Sequence, residues 1–113
     1  MTSGRTWIVA ATLSLAPALG FTSAPEPAAP KVVQITIDKA TFGNPPASLV
    51  AGDTVEWVNK DIFDHTSTSK PGAWDVVIPA GKKARVVMKK AGTFDYYCRY
   101  HPNMQARVVV TTR

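Results

Sequence analysis

Apolar and polar residues alternate in short runs from Lys31 onward, and proline or glycine interrupts each run before a helix could form. In Lys31–Asp38, Val33, Ile35 and Ile37 take one side and Gln34, Thr36 and Asp38 the other. A period of two sends successive side chains to opposite faces of a half-buried strand. Asn44-Pro45-Pro46 breaks the chain, Ala51-Gly52-Asp53 turns it, and Thr54–Asn59 follows with Val55 and Trp57 on a shared face. His65–Ser69 reads as a strand after the loop Lys60–Asp64, and Lys70-Pro71-Gly72 turns again. Trp74–Ile78 and Lys82–Met88 lie either side of Pro79-Ala80-Gly81, with Ala84, Val86 and Met88 in one phase. Ala91-Gly92 leads into Thr93–Cys98, where Phe94, Tyr96 and Cys98 share a face, and Arg107–Thr112 is a final β-branched run. No segment after Pro30 keeps a helical period over several turns. About six or seven short strands, with turn signals roughly every 8–12 residues, predict an all-β sandwich or small barrel.

The N-terminal segment follows different rules. Arg5 and the amino terminus are positive, Trp7–Leu19 is mostly apolar and uncharged, and Gly20, Thr22, Ser23 and Ala24 are small or nearly so. That is the plan of a secretory signal peptide over residues 1–24, with cleavage expected after Ala24 or, second, after Gly20. The apolar run is short for a bilayer span, so no stable membrane insertion is expected after cleavage. Residues 25–30, with three prolines, read as an extended leader, and residues 31–113 as the single domain that 113 residues allow. Export places this domain in the periplasm. Cleavage after Ala24 lowers the formal charge of the chain from +5 to +4, because Arg5 is the only charged side chain removed.

One cysteine excludes an intramolecular disulfide, a cysteine-rich zinc finger and an iron–sulfur cluster. An oxidising compartment normally pairs thiols, so a lone exported cysteine is buried, pairs between chains or binds metal. The neighbours of Cys98 point to metal. Cys98, His101 and Met104 place a thiolate, an imidazole and a thioether at three-residue intervals on one loop, with Pro102 tightening it. The only other histidine, His65, follows its own loop. If both loops lie at the same end of the sandwich, four ligands converge. Two imidazoles and a thiolate in a plane, with a weak axial methionine, is the arrangement of a blue-copper site. Zinc accepts cysteine and histidine but has little use for the thioether. Met88, in phase with Ala84 and Val86, reads as core.

The sequence resembles the cupredoxins, the small type I copper proteins, across nearly all of residues 31–113. The resemblance rests on Ala51-Gly52-Asp53-Thr54-Val55-Glu56-Trp57-Val58-Asn59, Asp64-His65-Thr66, Gly92-Thr93-Phe94-Asp95-Tyr96-Tyr97-Cys98 and His101-Pro102-Asn103-Met104. The compact C-x-x-H-x-x-M loop is most similar to the amicyanin type within that family; plastocyanin-like members carry longer spacings. The resemblance implies a Greek-key β-sandwich with one copper ion at one end. It implies His65, Cys98 and His101 as equatorial ligands and Met104 as the axial one. Many members have asparagine directly after the first histidine, helping to hold the loops; here Thr66 stands there, a change expected to tune potential and rigidity.

The function expected is one-electron transport through Cu(II)/Cu(I) by a monomer that meets separate redox donors and acceptors. The alternative is copper storage or delivery without redox turnover. Lys82, Lys83, Arg85, Lys89 and Lys90 form a basic cluster, expected to flank one hairpin. It would steer a partner with an acidic docking surface, or simply solvate that face. Nucleic-acid binding is not expected of an exported chain without an aromatic-basic stripe. An enzyme is not expected either: no third residue orients a Cys–His pair, and the domain is too small for a substrate cleft.

Overall fold

The computed structural model describes residues 3–17, 20 and 29–113. Residues 3–17 carry no regular secondary structure and are exposed throughout. Ala24, Phe21 and residues 25–28, on which the expected cleavage points and most of the leader fall, lie outside the described residues. No helix among the described residues is long and apolar enough to cross a membrane.

Among the described residues, eight strands form two four-stranded sheets: β1 (Val32–Asp38), β2 (Thr41–Phe42), β3 (Thr54–Asn59), β4 (His65–Ser69), β5 (Asp75–Ile78), β6 (Lys83–Val87), β7 (Gly92–Tyr97) and β8 (Gln105–Val110). The first sheet runs β2-β1-β3-β6, with β1 parallel to β3; the second runs β5-β4-β7-β8, antiparallel throughout. The all-β sandwich is therefore as expected. Ile35, Ile37, Val55 and Trp57 from the first sheet meet Ile78, Tyr96, Val108 and Val110 from the second, all buried. Met88 joins this core, and the period-two phases of β1, β3 and β7 hold.

Three details depart from the sequence reading. Strand β2 has two residues, too few to leave a periodic trace, and pairs with β1 through Ile37↔Phe42. Strand β8 begins at Gln105 rather than Arg107, because β7 pairs along its whole length and Tyr97 finds Gln105 opposite. The basic cluster does not flank a hairpin. β6 pairs with β3 in one sheet while β7 pairs with β4 and β8 in the other, so Lys89–Gly92 crosses between sheets.

Strand β4, between β5 and β7 in its sheet, is polar yet buried at every residue. Buried hydroxyls need partners. Ser67 Oγ accepts the indole N–H of Trp74 (2.9 Å), Ser69 Oγ accepts Ala73 N–H (3.2 Å), and Thr68 donates to Asp75 (2.8 Å). Among the described residues no buried side-chain nitrogen or oxygen lacks a partner.

The turn before β3 is held by a buried carboxylate. Gly52 takes φ 99°, which glycine adopts without the steric cost of a side chain. Beside it, Asp53 accepts Lys31 N–H (3.0 Å), Lys31 Nζ (2.9 Å), Val50 N–H (2.9 Å) and Arg113 Nη2 (3.1 Å). The Lys31 backbone N–H, then its ammonium and Val50 N–H, outweigh burial and hold Asp53 far below the usual carboxylate range. A depressed folded-state pKa stabilises the fold above the unfolded value, about 3.9, and that contribution fades as pH falls further. Asp53→Asn should cost about 1–3 kcal/mol at neutral pH, as hydrogen bonds to a charged group do, and should flatten the acid limb of stability below about pH 4. Urea denaturation at pH 7 and pH 3 checks this; equal losses at both would sink it.

Candidate metal centre

His65 opens β4 and Cys98 directly follows β7, so both lie at the same end of the second sheet. Residues Cys98 to Met104 fold back through three backbone hydrogen bonds. His101 N–H reaches the Cys98 carbonyl (3.3 Å), Met104 N–H the His101 carbonyl (2.8 Å), and Cys98 N–H the Met104 carbonyl (3.0 Å). The three-residue spacing thus becomes two consecutive turns around one point. His65 Nδ1 lies 3.8 Å and His101 Nδ1 3.7 Å from Cys98 Sγ. All three donor atoms fall within 4.8 Å of one another. His65 and Cys98 are fully buried, Met104 is also buried, and His101 is partly exposed. The structure therefore brings together the two histidines and the cysteine singled out from the sequence, and the Met104 backbone closes the same turn.

The donor set suits a cation. Burial alone would push the Cys98 thiol up. The Thr66 N–H, the nearby His101 and His65 rings and the Tyr100 N–H outweigh it and bring the thiol down to about 6. A thiolate is the metal-binding form of cysteine. Sulfur–nitrogen separations of 3.7 and 3.8 Å are close to those left when one metal ion bonds sulfur and nitrogen at about 2.0–2.3 Å.

Thr66 does the loop-holding work in two ways. Its backbone N–H donates to Cys98 Sγ (3.3 Å), and its hydroxyl accepts Arg99 N–H (2.8 Å). The hydroxyl also meets Thr68 Oγ1 at 3.0 Å, while Thr68 donates to Asp75. A carboxylate only accepts, so Thr68 spends its proton on Asp75 and Thr66 must donate to Thr68. A one-way chain runs from Arg99 N–H through Thr66 and Thr68 to Asp75. It joins the Cys98 loop to β4 and β5.

Two further residues carry the site, and the sequence reading gave neither a role there. Asn59 Nδ2 donates to the carbonyls of Phe63 (2.8 Å) and Ile78 (2.9 Å), while its Oδ1 accepts Asp61 N–H (2.9 Å), tying down the loop before His65. Asp61 Oδ2 lies 2.7 Å from His65 Nε2. Ala40 N–H donation, against burial and with help from His65 and Lys39 N–H, holds Asp61 below the usual carboxylate range. An acid four residues before a candidate ligand is the one signal the sequence offers for this contact.

Comparison with known proteins finds relatives of the same fold. A family model described as a cupredoxin-like domain matches residues 8–110. Amicyanin from Paracoccus versutus is 29% identical over 84 residues, and amicyanin from Paracoccus denitrificans 31% identical over 84; each alignment covers 69% of this chain. The chain spans 64% of the length of each of these two relatives. The crystal structure of the Paracoccus versutus protein superposes with a TM-score of 0.61 at 28% identity, covering 70% of this chain and 80% of that one. A mutant amicyanin solved in its Cu(I) form gives 0.60 at 26% identity, covering 70% and 81%.

Proposed function

The chain belongs to the cupredoxin-like family, and from that membership we propose that it is a one-electron carrier holding a single copper ion. The observation that carries this reading is the convergence of two imidazole nitrogens on one buried, readily ionised thiol. His65, Cys98 and His101 would hold the ion, with Met104 as the weak fourth donor. Bound copper supplies a one-electron couple between Cu(II) and Cu(I), for which this mixture of imidazole, thiolate and thioether is suited.

The chain supplies everything else. His65 is locked at the start of a central strand, and Cys98 between a strand end and a closed turn, so neither can drift when the charge of the site changes. A site that does not rearrange passes electrons with little reorganisation. Burial of the sulfur keeps water from it, and the partly exposed ring of His101 is the ligand with a path to solvent.

In this reading residues 1–24 are an export signal, residues 25–30 a leader, and residues 31–113 a monomeric periplasmic domain that is not an enzyme. Its partners are redox proteins. The exposed side chains of Lys82, Lys83, Lys89 and Lys90 would attract acidic surfaces on them. Arg85 contributes less, because its guanidinium pairs with Glu56. Electron self-exchange between oxidised and reduced copper-loaded protein tests the carrier role. Rapid exchange is expected; exchange too slow to broaden the NMR lines would turn the reading toward copper storage or delivery.

Met104 should set potential more than affinity. A long axial thioether contributes little binding energy, yet it shifts the balance between the two copper states. Met104→Leu should keep copper and colour while its reduction potential, measured by voltammetry, rises. Loss of the metal from this variant would mean that Met104 binds as a full ligand.

A further inference from the structure

The ring of His65 is gripped from both sides. Nδ1 faces Cys98 Sγ, and Nε2 meets the Asp61 carboxylate at 2.7 Å. A carboxylate oxygen accepts, so this contact favours the tautomer with its proton on Nε2 and turns Nδ1 toward the sulfur. We propose that Asp61 is a positioning residue that fixes this orientation of His65 and, through the imidazole, sets the balance between Cu(II) and Cu(I). This rests on the copper reading above.

Asp61 is itself immobilised from three directions. Oδ1 accepts Lys39 N–H (2.6 Å), Oδ2 accepts Ala40 N–H (2.9 Å), and Asp61 N–H donates to Asn59 Oδ1 (2.9 Å). Asn59 is anchored in turn by the carbonyls of Phe63 and Ile78. Lys39 and Ala40 both take φ 52°, a conformation that residues with a Cβ seldom adopt, and it is this turn that aims both N–H groups at one carboxylate. The β1–β2 turn, the end of β3 and the start of β4 thus converge on Asp61. Capping the turn accounts for the backbone bonds. It does not account for the short contact to a fully buried imidazole on the other side of Oδ2. Asp64, adjacent to His65, takes no part: its carboxylate accepts Ala80 N–H (2.8 Å).

The chemical consequence has a definite sign. An anion hydrogen-bonded to the remote nitrogen makes an imidazole a stronger electron donor, and loss of such a partner commonly weakens metal binding about 10–100-fold. Extra negative charge near the site favours the more highly charged ion. Removing it should therefore weaken Cu(II) more than Cu(I), and the reduction potential should rise. A tenfold relative loss corresponds to about 59 mV for one electron.

Two measurements test this, one of them independent of copper. In the metal-free wild-type protein, nitrogen-15 NMR should find His65 with its proton on Nε2, slow to exchange and shifted downfield by the carboxylate. In copper-loaded Asp61→Asn, the potential should lie above wild type by about 59 mV or more, with the visible band retained. A wild-type His65 that carries its proton on Nδ1 alone overturns the proposal. So does an Asp61→Asn variant whose potential matches wild type, which would leave Asp61 as a cap for the Lys39–Ala40 turn. Absence of a visible band in copper-loaded wild type would instead overturn the copper reading, while the metal-free NMR measurement would still decide the role of Asp61.

Discussion

Replacing Cys98 by serine should abolish the intense visible absorption expected of the copper-loaded protein. That band is charge transfer from a thiolate to Cu(II), and Cys98 is the only cysteine in the chain. No other residue can supply the donor orbital. The Thr66 and Tyr100 N–H groups and the two nearby histidine rings overcome the cost of burial and lower the pKa of the sulfur, so it ionises readily. Serine is nearly isosteric, but its hydroxyl does not ionise near neutral pH and is a poor partner for a soft site. The metal-free variant should keep the sandwich, since Cys98 closes its turn through backbone groups that serine retains. Loss of colour with an unchanged far-ultraviolet circular dichroism spectrum is the expected result. An undiminished band in a folded variant would remove the thiolate from the copper site.

The ligand loop was legible because its chemistry is local. Cys98, His101 and Met104 lie within one turn-forming segment, and their residue types have few joint explanations. His65 was legible only through resemblance and through being the one histidine left; its approach to Cys98 depends on two strands meeting in space. The sandwich was legible from the period-two phases of Val33, Ile35 and Ile37 and of Phe94, Tyr96 and Cys98. What the pattern could not carry was pairing. Alternation tells which face of a strand is buried but not which strand lies beside it. The Lys89–Gly92 connection therefore looked like a hairpin turn when it crosses between sheets. Asp61 and Asn59 were missed for a related reason. Their work is hydrogen bonding to backbone groups and to a ring on other elements, and neither residue type announces such a role in sequence.

The core and the metal centre are joined through Tyr96, two residues before Cys98 on the same face of the chain. Trp57 is fully buried, its ring 5.7 Å from that of Tyr96 and 6.2 Å from that of Trp74, and its indole N–H points at the Tyr96 hydroxyl at 3.5 Å. Burial pushes the Tyr96 phenol up to about 12, with the Trp57 hydrogen bond opposing, so this hydroxyl stays neutral. Trp57→Ala deletes the largest fully buried side chain among the described residues and leaves the Tyr96 hydroxyl without its donor. Deletions of this size cost about 3–5 kcal/mol, against a total stability of about 5–15 kcal/mol for a domain. Thermal unfolding of the metal-free variant should therefore fall by about 12 °C or more. Trp57→Phe keeps an aromatic ring in the cluster and loses only the N–H and part of the volume, so it should fall by much less. The two variants separate packing from the hydrogen bond. A loss of only a few degrees in Trp57→Ala would mean that the sandwich closes over the gap and does not depend on this aromatic cluster. If the alanine variant is destabilised as expected yet binds copper with an unchanged visible spectrum, the Cys98 turn is held by its own hydrogen bonds. In that case the link through Tyr96 transmits stability and not the geometry of the site.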